Sequence, residues 1–167
     1  DLGEEDLLLV LISGGASAML ASPVKEIGLE DTVELTERML TSGMSIQNMN
    51  IVRAHLDRVK GGRLAVVAAP ASVLTLALSD VVGDKLPAIG GGPTVADPSR
   101  YKDAINALKK VQAWDDIPAS VREYLDAEDM RTAIECLFGD EPGRSLGFTP
   151  RGLSPWAGLA LALHDAR

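Results

Sequence analysis

The sequence predicts an α/β fold, with a three-layer α/β/α arrangement in which a mostly parallel sheet lies between layers of helices. Two apolar runs, Leu7–Ile12 and Val73–Leu78, have the length and the high hydrophobicity of strands that are buried on both faces. Helical patterns lie between these runs and after them. Because strands separated by helices usually pair in parallel, the alternation indicates a parallel sheet. In such sheets ligands bind at the carboxyl ends of the strands.

Four segments carry the main helical signals, and they cover residues 30–41, 45–61, 99–111 and 118–125. The first ends near Gly43. The second begins with Ser45 as its N-cap and ends at Gly61 and Gly62, because glycine commonly follows the last helical turn. A shorter helix is expected directly after the first strand.

Charge and composition limit the possible functions. The chain has 167 residues, with 16 Lys and Arg against 24 Asp and Glu, which gives a net charge of −8. This acidity argues against a nucleic-acid coat and against binding to anionic membranes. No apolar run approaches the roughly 20 residues of a membrane span. The single cysteine, Cys136, excludes an internal disulfide and a cysteine-rich zinc site. We therefore expect a cytoplasmic protein that binds a small molecule.

The composition changes near residue 129. Residues 130–167 contain no Lys, Val, Asn or Tyr, although they include several Gly and Pro. We therefore divide the chain into a domain of residues 1–129 and a divergent tail of residues 130–167. Within the tail, only the run from Trp156 to Leu163 is expected to form a helix.

The first candidate site follows the first strand, and it is the turn made by Ser13, Gly14, Gly15, Ala16 and Ser17. Glycines let backbone N–H groups approach an anion, and a following helix adds partial positive charge. The turn thus suits a phosphate or a carboxylate. The same residues suit a tight strand-to-helix connection at least as well, because such connections use glycine for its backbone freedom. The turn lacks the lysine of a P-loop and the third glycine of a dinucleotide-binding turn.

The second candidate site is a polar stripe on the predicted helix from residue 45 to residue 61. Asn50, Arg53, Asp57 and Lys60 recur at helical spacing beside an apolar stripe. The planar group of Arg53 is suited to a carboxylate or a phosphate, and Lys60 adds a point charge. The alternative is structural: Arg53 pairs with Asp57, and Lys60 complements the end of the helix.

The third candidate site is the long loop from Ser79 to Pro98, which follows the second strand. Asp80 and Asp84 at its start are suited to holding Mg²⁺ or to accepting a proton from a substrate hydroxyl. Gly90, Gly91 and Gly92 offer another close approach for a phosphate. An aspartate-capped loop with glycine turns is the structural alternative. Together, the three candidate sites are typical of phosphoryl transfer.

Five blocks of the sequence resemble the class II glycerate 2-kinases, a family whose members are sometimes named hydroxypyruvate reductases. The blocks are residues 11–18, 50–56, 60–65 and 79–84, and Gly92-Pro93-Thr94 followed by Asp97-Pro98. The resemblance implies ATP- and Mg²⁺-dependent phosphorylation of D-glycerate to 2-phosphoglycerate, in a cleft between a Rossmann-like domain and a second domain. It also implies that this chain is most of the first, N-terminal domain, and that this domain is incomplete here.

The resemblance assigns roles to the candidate residues. It implies that Lys60, Asp80 and Asp84 are catalytic, with the two aspartates as metal ligands or bases. The implied substrate- and nucleotide-binding residues are Ser13, Gly14, Gly15, Ser17, Asn50, Arg53, Gly90, Gly91, Gly92 and Thr94. The chain departs from the usual family pattern at Ala16, Ala54, Asp57, Gly90 and Gly91, and these departures are expected to weaken phosphate binding.

Alternatives to an active kinase stay open. One is an NAD(P)-dependent hydroxypyruvate reductase, which a glycine turn after a strand favours. Another is a non-catalytic remnant domain, because the chain is expected to be a truncated or frame-disrupted copy that is inactive on its own. An interface left uncovered by a missing domain makes a homo-oligomer plausible.

Overall fold

We describe the protein from a computed structural model, in which the described residues are 2–13, 15–79, 81, 83–138 and 159–164. Two short 3-10 turns, Leu86–Ala88 and Trp114–Asp116, accompany the regular elements. The strands and helices, in chain order, are β1 (Leu7–Ile12), α1 (Ala16–Met19), α2 (Leu29–Thr41), α3 (Ile46–His55), α4 (Arg63–Ala68), β2 (Ser72–Ser79), α5 (Tyr101–Lys110), α6 (Ala119–Phe138) and β3 (Leu159–His164).

The three strands form one parallel sheet in the order β1-β2-β3. Leu7 pairs with Ser72 at one end of the first ladder, and Ser79 pairs with His164 at one end of the second. The predicted α/β fold with a parallel sheet is therefore confirmed. The helix expected between Trp156 and Leu163 is wrong, because residues 159–164 form β3 instead. The alternating Leu and Ala of this run suit either state, and pairing with β2 decides for the strand.

The chain divides into two compact units. The sheet unit consists of Asp1–Ser22, Arg58–Asp97 and Phe148–Arg167, and the helical unit consists of Pro23–Asp57 and Pro98–Gly147. The predicted boundary near residue 129 falls inside α6, which continues to Phe138. None of the helices in the described part of the chain is long and apolar enough to cross a bilayer.

In the sheet unit, one face of β1 and β2 is covered and the other is bare. Ala65 and Ala68 of α4 pack against Val73, and farther along the sheet Ile89 packs against Ile12 and Ala77. The prediction that both faces are buried is wrong for the described residues. On the opposite face five leucine side chains are between 36% and 70% exposed, namely Leu7, Leu9, Leu11, Leu76 and Leu78. The described helices and loops cover only one side of strands that are apolar on both.

The helical unit has its own core, in which α2, α3, α5 and α6 each contribute side chains. Its most deeply buried large side chains, each no more than 2% exposed, are Leu35, Met39, Val52, Leu108, Val121 and Leu125. A hydrogen bond of 2.7 Å from the Ser120 hydroxyl to the Asp31 carboxylate joins α6 to α2. The predicted helices of this unit are thus confirmed as elements, and α6 is longer than expected.

The helix that begins after Ser45 ends earlier than the sequence pattern indicates. Its N-cap is confirmed, because the Ser45 hydroxyl accepts a hydrogen bond from the Asn48 N–H at 3.4 Å. The predicted end near Gly61 is wrong, since α3 stops at His55. The backbone beyond it forms other bonds: residue 57 bridges to residue 23, and the Arg58 N–H donates to residue 22 at 2.7 Å. These bonds replace the intrahelical bonds that a longer helix would need.

Candidate functional site

The turn at the carboxyl end of β1 is open to solvent. Ser13 and Gly15 are exposed, Ser17 is half-buried, and Gly14 lies outside the described residues. Gly15 has a φ of +82°, and a Cβ added there would meet no atom within 4 Å. The N–H of Ala16 donates to the Ser13 carbonyl at 3.2 Å, which closes the turn and begins α1. The positive φ thus explains this glycine, and the open space leaves room for a ligand.

A shallow cavity of about 230 Å³ lies at the carboxyl ends of β1 and β2, lined by Leu11, Ile12, Ser13, Leu76, Ala77 and Leu78. It is smaller than the roughly 300–1,000 Å³ of most small-molecule sites. Its lining is apolar except at Ser13. The cavity places open space beside the turn, but by itself it is too small for a nucleotide.

The glycine triplet lies against the same region. Gly90, Gly91 and Gly92 all have positive φ, between +60° and +80°. A Cβ at Gly90 would lie 3.2 Å from the Ile12 side chain and 3.5 Å from the Ala16 side chain. The triplet therefore packs against the end of β1 and the start of α1, so the structure brings two predicted glycine segments together.

Backbone contacts of the triplet also favour the structural alternative. The carbonyl oxygens of Gly91 and Gly92 accept hydrogen bonds from the N–H groups of Gly61 and Gly62, at 3.0 and 2.8 Å. A Cβ at Gly62 would lie 3.0 Å from the Val95 carbonyl oxygen. Glycines at these positions let two backbone segments approach closely just before α4.

Lys60 is a buried cation in this part of the sheet unit. It is only 3% exposed, and its Nζ donates a hydrogen bond to the carbonyl oxygen of Leu20. Its stem crosses Gly91, where an added Cβ would lie 2.7 Å from the lysine Cδ. The lysine therefore connects the glycine triplet to the residue that follows α1.

Thr94 is buried rather than open to a ligand. Its hydroxyl lies 2.7 Å from the hydroxyl of Thr75, in the middle of β2, and both residues are buried. A satisfied hydroxyl pair of this kind is typical of a packed core. In this structure the Thr94 hydroxyl is engaged beneath the sheet.

Asp84 provides one carboxylate at the carboxyl end of β2. It is a non-glycine residue with a φ of +47°, and its N–H donates to the Val81 carbonyl at 3.0 Å. Asp80, its predicted partner, lies outside the described residues. Among the side chains the structure describes, no three His, Cys, Asp or Glu converge as a metal site. One described carboxylate does not make a magnesium site, because Mg²⁺ takes octahedral oxygen coordination.

Asn50 and Arg53 lie on α3 in the helical unit, and both are half-buried. Burial lowers the pKa of Arg53 below its ordinary value, because a low-dielectric environment disfavours the charged form. The predicted single stripe is wrong as a helical feature, since Asp57 and Lys60 lie beyond the end of α3.

Two structural partners escaped the sequence reasoning. The carbonyl of Leu20 receives the Lys60 ammonium, and Thr75 pairs with Thr94. A backbone carbonyl leaves no signal in a sequence, so the first partner could not be found. Thr75 is the one polar residue inside the apolar run from Val73 to Leu78, and that position was a usable signal.

Comparison with known proteins places the chain among sequence relatives. A family model described as a domain of unknown function, DUF4147, matches residues 1–126. The chain is 43% identical over 123 residues to a glycerate 2-kinase of Pyrococcus horikoshii, which covers 74% of this chain and 28% of that protein. It is also 43% identical over 128 residues to a human glycerate kinase, covering 77% of this chain and 24% of the relative.

A putative hydroxypyruvate reductase of Agrobacterium vitis is 44% identical over 124 residues, with 74% of this chain and 28% of the relative covered. The chain thus spans about a quarter of the length of the curated relatives that it matches.

Solved structures agree with the sequence relatives. A glycerate kinase of Thermotoga maritima matches with a TM-score of 0.73 and 35% identity, over 98% of this chain and 33% of that one. A Pyrococcus horikoshii protein matches with a TM-score of 0.71 and 41% identity, over 77% and 29% of the two chains. The resemblance indicated by the five sequence blocks is confirmed. The chain belongs to the DUF4147 family, whose named relatives here are mostly glycerate kinases.

Proposed function

We propose that this chain is part of an enzyme that transfers a phosphoryl group from ATP to D-glycerate and forms 2-phosphoglycerate. The observation that carries the proposal is the 43% identity to a glycerate 2-kinase over 123 residues. The family model matches residues 1–126 and so includes the turn after β1. The chain spans 28% of that relative, so the proposal concerns a partial site. We expect the isolated chain to bind ligands weakly and to lack turnover.

The proposed phosphate-binding element is the turn at the end of β1, with Ser13, Gly15 and Ser17 as its described residues and Gly14 between them. Its exposed backbone and its two hydroxyl side chains are suited to hydrogen bonds with phosphate oxygens. Gly90, Gly91 and Gly92 support this turn, and Thr94 supports the glycine segment from below. This division of roles agrees with the solvent exposure of the turn and the packing of the triplet.

The proposed chemistry is an in-line displacement at the γ-phosphorus. The 2-hydroxyl oxygen of glycerate forms the new P–O bond, the bond to the β-phosphate oxygen breaks, and ADP leaves with that electron pair. A carboxylate accepts the hydroxyl proton, and Asp84 and Asp80 are the proposed acceptors. Arg53, with its planar donor fork, is the proposed partner for a carboxylate or phosphate oxygen, together with Asn50.

The proposal gives magnesium one role, that of a cation bound beside the phosphate groups. A bound divalent ion would supply positive charge that offsets the charge of the phosphate oxygens. The described residues offer Asp84 alone for it, which does not fit a complete site, so no step of the proposed chemistry runs through the metal. Asp80 stays the predicted second ligand.

Isothermal titration of the chain with Mg·ADP, and separately with D-glycerate, tests the proposal. We expect weak but saturable heat with ADP, which Ser13→Ala and Ser17→Ala together reduce. Two serines outside the site serve as a control for small local changes: Ser72→Ala at an exposed position, like Ser13, and Ser42→Ala at a half-buried one, like Ser17. Absence of any heat with either ligand contradicts a surviving kinase site and supports the remnant-domain alternative.

The name of the Agrobacterium relative favours one second candidate, reduction of hydroxypyruvate by a nicotinamide cofactor. The turn lacks the glycine spacing of a dinucleotide-binding motif, because Gly14 and Gly15 are adjacent and Ala16 stands two residues after Gly14. Oxidation of NADH or NADPH with hydroxypyruvate, followed by absorbance, distinguishes the two activities. We expect no cofactor oxidation above the rate without protein.

We also propose that the protein is cytoplasmic and that the chain associates with itself. A fluorescent fusion of the chain tests the first, and sedimentation velocity over a range of protein concentrations tests the second. A sedimentation coefficient that does not change with concentration and matches a monomer contradicts the homo-oligomer.

A further inference from the structure

The side chain of Lys60 reaches the backbone at the C-terminal end of α1. Its Nζ donates to the carbonyl oxygen of Leu20, and the residue is 3% exposed. Leu20 is the C-cap residue of α1, and its own N–H donates to the Ala16 carbonyl at 2.8 Å. The ammonium thus holds the far end of the helix that begins at the proposed phosphate-binding turn.

At its start, this helix is held by the packing of Ala16 against the cluster of Ile12, Ala77 and Ile89. It contains four residues, none of them fully buried, and its N-cap makes no side-chain hydrogen bond. A helix of one turn is unstable by itself, because nucleation fixes several dihedral angles for each bond formed. A hydrogen bond from an ammonium to a carbonyl is among the stronger ones in proteins. We therefore expect the position of α1, and of the turn before it, to depend on Lys60.

Gly91 provides the space through which the lysine stem passes. A Cβ at this position would lie 2.7 Å from Cδ of Lys60 and 2.9 Å from both Cγ and Cε. The loop has little freedom to move aside, since the Gly91 carbonyl accepts a hydrogen bond from the Gly61 N–H at 3.0 Å. Any side chain at residue 91 must therefore displace the lysine.

We propose that Lys60 is a positioning residue that fixes the turn from Ser13 to Ser17 through the Leu20 carbonyl, with Gly91 kept free of a side chain for its passage. The inference rests on the proposed function in one respect, that this turn is the anion-binding element. It differs from the direct ligand role implied by the family resemblance, in which the ammonium itself contacts the anion.

Amide hydrogen exchange of the chain, followed by NMR, tests the inference in the variant Lys60→Met. Methionine retains an unbranched stem but removes the ammonium. We expect the amides of Ala18 and Leu20 to exchange at least about tenfold faster, while those of α5 stay unchanged. Titration with inorganic phosphate is expected to show affinity lowered by about fivefold or more. Weaker phosphate binding with unchanged exchange makes Lys60 a direct ligand and overturns the proposal.

A second variant keeps the test decisive if Lys60→Met does not fold. Gly91→Ala is compared with Gly43→Ala, because both glycines have positive φ but nothing lies within 4 Å of a Cβ at residue 43. We expect only Gly91→Ala to accelerate exchange at Ala18 and Leu20. Equal exchange at these amides in Gly91→Ala and Gly43→Ala overturns the proposal, and this comparison needs no variant at Lys60. In a Lys60→Ala background, Gly91→Ala should add no further acceleration at these amides, because the stem is gone. Equal effects of Gly91→Ala in both backgrounds overturn the proposal.

A measurement on the unmodified chain completes the design. The side-chain nitrogen resonance of Lys60 is followed during the phosphate titration, alongside the backbone amides of the turn. We expect the Gly15 and Ser17 amides to shift while the lysine nitrogen does not. A lysine shift that saturates with the turn amides overturns the positioning role. Absence of phosphate binding counts against the proposed function, whereas the exchange results still decide the role of Lys60.

Discussion

The hydroxyl oxygens of Thr75 and Thr94 lie 2.7 Å apart in the interior of the sheet unit, where both residues are less than 10% exposed. Thr75 belongs to the middle of β2, and Thr94 follows the glycine triplet. The pair therefore fixes the glycine segment to the covered face of the sheet. Each hydroxyl satisfies the other, so the loss of one leaves a buried polar group without this partner.

We predict that Thr94→Val lowers the free energy of unfolding by about 1–3 kcal/mol, because the Thr75 hydroxyl stays buried. The double variant Thr75→Val/Thr94→Val should be more stable than the sum of the two single variants indicates, because both polar groups are removed. Urea denaturation followed by circular dichroism measures these changes. Thr41→Val, at an exposed position on α2, is the matched control, and additive single effects would contradict the pairing.

Two glycines with similar backbone angles should respond differently to alanine. Gly62 has a φ of +84° and a Cβ there would lie 3.0 Å from the Val95 carbonyl oxygen, whereas Gly43 has a φ of +71° and open space. We predict that Gly43→Ala lowers the free energy of unfolding by about 1–2 kcal/mol, because alanine is strained in a left-handed conformation. Gly62→Ala should cost at least about 1 kcal/mol more, since backbone atoms must also move. Equal urea midpoints for Gly62→Ala and Gly43→Ala would show that the close approach of residue 62 to the Val95 carbonyl does not affect stability.

Arg53 should contribute to binding more than to stability. Burial lowers the pKa of Arg53, so the charged guanidinium lowers the free energy of unfolding. This loss of stability is complete at every pH below the lowered pKa and is relieved as the pH rises through that pKa. We therefore predict that Arg53→Met leaves the free energy of unfolding at neutral pH within about 0.5 kcal/mol or raises it. Phosphate affinity should fall by about tenfold or more if the guanidinium binds an anion.

The control for Arg53 is Arg38→Met on α2. Arg38 is half-exposed and lies 4.0 Å from Glu34, so its loss is expected to change neither stability nor phosphate affinity appreciably. Calorimetric titration and urea denaturation of both variants provide the comparison. A large loss of stability in Arg53→Met, with unchanged affinity, would assign the arginine a structural role.

The N-cap of α3 gives a prediction from the sequence alone. The Ser45 hydroxyl accepts a hydrogen bond from the Asn48 N–H, and Ser45→Ala removes it. We predict a loss of about 1 kcal/mol in the free energy of unfolding, which Ser45→Asn largely restores because asparagine caps equally well. Thermal denaturation of the three proteins measures the series. Equal stability of the alanine and asparagine variants would mean that the cap is dispensable.

Local patterns predicted most of the elements because their causes are local. Short apolar runs placed β1 and β2, and periodic apolar positions placed α2 and α5. A serine before an apolar-periodic segment placed the start of α3. The predictions were wrong where one sequence pattern is compatible with two different local structures. The Leu and Ala alternation before His164 suits a helix or a strand, and polar spacing from Asn50 to Lys60 continues past the true end of α3.

The sequence by itself determined the α/β class, the order of its main elements, the glycine positions and the family, since each depends on residue types and their spacing. Tertiary structure decided where α3 ends, which face of the sheet is covered, and that the Lys60 ammonium bonds the Leu20 carbonyl. These outcomes depend on backbone groups brought together from distant parts of the chain. A carbonyl oxygen is present at every residue, so the sequence holds no mark of the one that a buried cation will select.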